Sequence, residues 1–136
     1  MNVILLTPHG RSGSYLMQSL FDQHPQVSSL PTVFFYPEWK FHNSTKECIK
    51  EFVNLYPGIF NMHDNYLGIP GKNVTSMFGK EGTENIILSK EIFIENAYNI
   101  FKSKLSTGIS RKDFVQGIHL AYSKTLGNDP EKIKYL

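Results

Sequence analysis

A chain of 136 residues is long enough for one domain with its own core, and 40% hydrophobic content is that of a folded globular protein rather than a disordered one. Lysine and arginine number 14 against 12 aspartates and glutamates, a balance that argues against a nucleic-acid partner and leaves any anion site to local chemistry. Cys48 is the only cysteine, which excludes an internal disulfide framework and multi-cysteine zinc sites and fits a reducing, cytoplasmic compartment.

In chain order, Val3 to Leu6 form a continuous apolar run bounded by Thr7, Pro8 and Gly10, the pattern of a strand covered on both faces. No basic segment precedes this run, so it does not read as a signal peptide, and no stretch reaches the roughly 20 apolar residues of a membrane span. Leu16, Met17, Leu20 and Phe21 recur at helical spacing, predicting a helix over 12–23 that stops before His24-Pro25. Gln26 to Leu30 suits a short extended segment. Ser44 and Glu47 have capping-box spacing, and Ile49, Phe52, Val53 and Tyr56 stripe a helix that ends at Pro57-Gly58. Residues 61–82, rich in Gly and Asn, read as loop. A further helix is marked by Ile94, Ala97, Tyr98, Phe101 and Leu105 and gives way near Gly108. Ser110 with Asp113 opens the next, striped by Phe114, Ile118, Ala121 and Tyr122, with Gly127-Asn128 as its left-handed stop. Residues 132–136 suit the start of another strand after the Asp129-Pro130 turn.

Between the first strand and first helix stands Thr7-Pro8-His9-Gly10-Arg11-Ser12-Gly13-Ser14-Tyr15. Gly10 and Gly13 allow a sharp turn and close backbone approach to a ligand, and the first N–H groups of the helix lack intrahelical acceptors. An anion bound there gains about 0.3–1 kcal/mol from the helix dipole, and about 1.5–3 kcal/mol from each charge-assisted hydrogen bond. Ser12 and Ser14 supply hydroxyls, and Arg11 supplies a permanent charge in a fork suited to tetrahedral anions. A magnesium-nucleotide P-loop instead requires Gly, four residues and then Gly-Lys-Ser/Thr. This loop has no such lysine, and Gly71-Lys72 is followed by Asn73. The same residues also suit an ordinary strand-to-helix turn with a capping serine.

The run Gly10-Arg11-Ser12-Gly13-Ser14-Tyr15-Leu16-Met17, followed by His24-Pro25-Gln26-Val27, resembles the 5′-phosphosulfate-binding segment of the sulfotransferase superfamily: Arg-Ser-Gly-Thr/Ser-Thr-Leu, a short helix, then His-Pro-x-Val. Tyr15 stands where the second threonine of that pattern is usual. The resemblance implies transfer of a sulfuryl group from 3′-phosphoadenosine 5′-phosphosulfate to a hydroxyl or amine acceptor without a metal. It assigns Gly10, Arg11, Ser12, Gly13, Ser14 and Tyr15 to the donor and implicates Arg11 and Ser14 in catalysis. It also implies a P-loop-like α/β fold in three layers, α/β/α. Residues 1–136 would be a single, amino-terminal portion of it: a donor site in 1–30, a helical insertion in 44–126 and a further strand from 132.

Sulfuryl transfer needs a base for the acceptor proton, worth typically about 10²–10⁴ in rate. In tyrosylprotein-type members a glutamate follows the His-Pro segment, and the corresponding place falls near Thr32, which cannot act so. Glu38 and His42 are the nearby candidates, with solvated-loop and pre-helix roles as their ordinary readings. Other branches take a histidine from a strand after the helical insertion. His119 precedes that place, and its spacing from Phe114 and Ile118 favours a helix-surface or satisfied histidine. His24 reads as a structural residue closing the helix ahead of Pro25. Phe34, Phe35, Tyr36 and Trp39 suit an acceptor or adenine pocket, or lid packing. The histidines and Cys48 lack metal-ligand spacing, so no metal is expected. The family's 3′-phosphate site has no counterpart before Leu136. Expected partners are therefore a small-molecule, carbohydrate or peptide acceptor, with no nucleic acid or membrane, and a second copy of the chain through an open strand edge. Two further readings stay open: a catalytically incomplete anion-binding or interaction module, and a degenerate P-loop nucleotide kinase or hydrolase.

Overall fold

The computed structural model describes residues 2–3, 21, 24–30, 43–60 and 88–136. Three α-helices dominate them: α1 (Thr45–Leu55), α2 (Lys90–Ile100) and α3 (Arg111–Thr125), with 3₁₀ turns at Pro57–Ile59, Lys102–Lys104 and Pro130–Lys132.

Each helix begins where a serine side chain replaces a missing intrahelical acceptor. Ser44 Oγ accepts from the Glu47 N–H at 3.3 Å, Ser89 Oγ from Ile92 at 3.2 Å, and Ser110 Oγ from Asp113 at 3.1 Å. α3 ends in a Schellman arrangement: Asn128 N–H donates to the Ser123 carbonyl and Gly127 N–H to that of Lys124. Gly127 sits at φ +83°, the left-handed conformation in which a Cβ is strained.

The core is a chain of phenylalanines running through all three helices. Phe60 meets Phe93 edge-on at 5.1 Å, Phe93 stacks on Phe52 at 6.0 Å, Phe52 meets Phe114 at 6.3 Å, and Phe114 stacks on Phe101 at 5.5 Å. Such pairs contribute about 0.5–1.5 kcal/mol each beyond the area they bury. Cys48, Ile49, Ala97, Ile118 and Ala121 are buried in the same core, and Cys48, the chain's single cysteine, is buried and in no disulfide. Gly117 is what lets Phe101 in, because a Cβ on Gly117 would overlap the Phe101 ring.

That close approach also sets where α2 ends. The sequence stripe carries the helix on to Leu105, whereas the backbone leaves it at Phe101, whose ring folds back under α3. The chain then takes a 3₁₀ turn, and its carbonyls serve α1. Thr45 N–H and Oγ both donate to the Thr107 carbonyl at 2.9 Å, and Lys46 N–H donates to Leu105 at 3.2 Å. The N-terminus of α1 is thus occupied by protein acceptors rather than open to an anion.

The expected three-layer α/β/α arrangement is not what the described residues form. They are mainly helical and contain no strand, only two isolated parallel bridges, Asn2 with Tyr135 and Val27 with Tyr135. Local chemistry accounts for their brevity. Pro25 and Pro31, which have no N–H to donate, bracket the segment around Val27, and Pro130–Lys132 is spent on a turn, so the extended stretch expected from Lys132 begins only at Ile133.

Candidate functional site

The residues assigned from sequence to the donor, Gly10, Arg11, Ser12, Gly13, Ser14 and Tyr15, lie outside the described residues. So do Thr32, Glu38 and His42, the aromatic group 34–39, and the stretch 61–82. What the structure describes is the two flanks of the segment that carries the first group, residues 2–3 and 24–30.

Both ends of that segment meet at Tyr135. Asn2 N–H donates to the Lys134 carbonyl and Leu136 N–H to the Asn2 carbonyl, each at 3.0 Å. On the other side, Tyr135 N–H donates to Gln26 and Ser28 N–H to Tyr135, again at 3.0 Å. The final segment therefore lies between Asn2 and Val27, parallel to both. Asn2 and Val27 run the same way on opposite sides of Tyr135, so the chain between them must cross back, commonly through a helix, and Phe21 on that stretch is helical.

The return is built as two overlapping turns. His24 N–H donates to Phe21 and Val27 N–H to His24, both at 3.1 Å, while Gln26 N–H donates to His24 Nδ1 at 3.2 Å. The His24 ring thus acts as a backbone acceptor that shapes the chain around Pro25.

Ser28 and Leu30 are then buried, and Ser28 is pinned to α3 by a reciprocal pair. Its hydroxyl donates to the His119 carbonyl at 3.0 Å, and its own carbonyl lies 2.8 Å from His119 Nδ1. A carbonyl only accepts, so Nδ1 carries the proton and Nε2 is the lone-pair nitrogen of the neutral ring. Burial pushes the imidazole down to about 4, outweighing the Ser28 carbonyl, which favours the charged form. His119 is therefore neutral at pH 7. The sequence stripe puts this histidine beside Ile118 but contains no sign of a partner 91 positions away.

Elsewhere, an open cleft of about 230 Å³ lies between the end of α2 and the first turns of α3. Phe101 and Gly117 contribute to its wall, together with the Lys104–Asp113 ion pair at 3.1 Å. Lys104, then the Ser110 hydroxyl, hold the Asp113 carboxyl below its usual range. No residue assigned to the donor or to catalysis from sequence lines this cleft. Among the described residues no three His, Cys, Asp or Glu side chains gather as a metal site, and no helix is long and apolar enough to cross a membrane.

The chain matches no protein-family model, no curated protein and no solved structure. The functional reading therefore rests on the residues themselves.

Proposed function

We propose that this chain is a sulfotransferase that moves a sulfuryl group from 3′-phosphoadenosine 5′-phosphosulfate to a hydroxyl or amine acceptor. The reading rests on residues 10–27, not on a layered fold. The structural observation that supports it is that Asn2 and Val27 both run parallel to Tyr135, one on each side of it, so the stretch of sequence that carries Gly10–Tyr15 connects two parallel segments, a connection in which a loop leading into a helix can bind an anion.

In this reading the acceptor oxygen or nitrogen attacks sulfur, the sulfur–oxygen bond to the 5′-phosphate breaks, and the acceptor proton passes to a base. Glu38 and His42 are the candidates for that base. Arg11 neutralises the phosphate that leaves, while Ser12, Ser14 and the backbone N–H groups from Gly10 to Ser14 hold the equatorial oxygens. Positioning and fixed donors supply most of the stabilisation, as in phosphoryl transfer. The acceptor is a small molecule, a carbohydrate or a peptide, and the compartment is reducing and cytoplasmic, in keeping with a single cysteine, Cys48, in no disulfide. Self-association belongs to the outer side of Asn2 and Val3, since Tyr135 is paired on both sides; Val3 is 55% exposed.

A second reading, a catalytically incomplete anion-binding module of the same ancestry, is favoured by two observations. Thr32 occupies the place of a base, and the His119 ring, at about 4, is far from the value near neutrality that suits a general base. Calorimetry with adenosine 3′,5′-bisphosphate, ATP and inorganic sulfate, repeated on Arg11→Ala, separates the readings. Bisphosphate-selective binding that Arg11→Ala abolishes supports the sulfotransferase, and sulfate binding without nucleotide selectivity supports the module. Magnesium-dependent ATP binding overturns both in favour of a nucleotide kinase or hydrolase.

A further inference from the structure

We draw no further inference here: the strongest candidate, the open cleft of about 230 Å³ between the end of α2 and the first turns of α3, carries nothing, because its charged groups Lys104 and Asp113 already pair with each other at 3.1 Å and nothing in the structure shows what covers its apolar wall.

Discussion

Acidifying the protein from pH 7 toward pH 4 sets the folded and unfolded chains competing for a proton on His119. In the unfolded chain the imidazole titrates near 6.5; in the folded chain burial holds it at about 4. Between those values the unfolded state binds the proton and the folded state does not, so stability falls as pH falls through this window and is level again below it. Above 6.5 the contribution is fully present. The full shift corresponds to about 3 kcal/mol, a ceiling because His119 keeps partial exposure. With a urea m-value of about 1–3 kcal/mol/M, that ceiling corresponds to a midpoint shift of at most roughly 1–3 M. The assay is urea denaturation followed by circular dichroism in half-unit pH steps, on the parent and on His119→Asn, which keeps a donor for Ser28 but cannot titrate. The other histidines are common to both proteins and cancel in the difference. Glu91 and Asp113, held below their usual values by Ser89 and Lys104 respectively, lose their contributions only at lower pH, as it falls through their depressed folded values, again in both proteins. Parallel pH profiles for parent and variant would refute the assignment of a buried neutral imidazole.

Gly117→Ala is expected to cost about 1–3 kcal/mol, because the new methyl displaces the Phe101 ring from its stack on Phe114; equilibrium unfolding measures this, and a neutral result would mean that the ring is not seated there. Gly127→Ala, at φ +83° with nothing near the new Cβ, should lose about 1–2 kcal/mol by backbone strain alone, with m unchanged in urea titration. Phe114→Ala removes the ring shared by Phe52 and Phe101 and should cost about 3–5 kcal/mol in the same assay.

What was legible in the sequence follows the range of the interactions. Ser44, Ser110 and Gly127-Asn128 act on backbone groups within a few residues, so the bounds of α1 and α3 could be read from them. α2 is less legible. Its apolar stripe runs from Ile94 to Leu105, whereas Ser89 caps it at Ile92 with no carboxylate at the capping-box position, and Phe101 ends it with its ring packed against Gly117. That contact joins different helices, and apolar periodicity cannot register it. The layered sheet failed for a related reason: apolar runs imply strands, but the described pairing is single residues meeting at Tyr135, limited by Pro25, Pro31 and the Pro130 turn. Of the candidate site, glycine, serine and arginine carry the anion reading by residue type alone, and they lie outside the described residues. The Ser28–His119 tie was not legible, since neither residue is unusual in its own surroundings.

The central claim is a phosphosulfate-binding loop, and calorimetric titration of the folded chain with adenosine 3′,5′-bisphosphate, beside the Arg11→Ala variant, tests it most directly. The account predicts saturable bisphosphate binding in preference to ATP, independent of magnesium and abolished by Arg11→Ala. Equal binding by parent and variant, or binding of ATP only with magnesium, would contradict it.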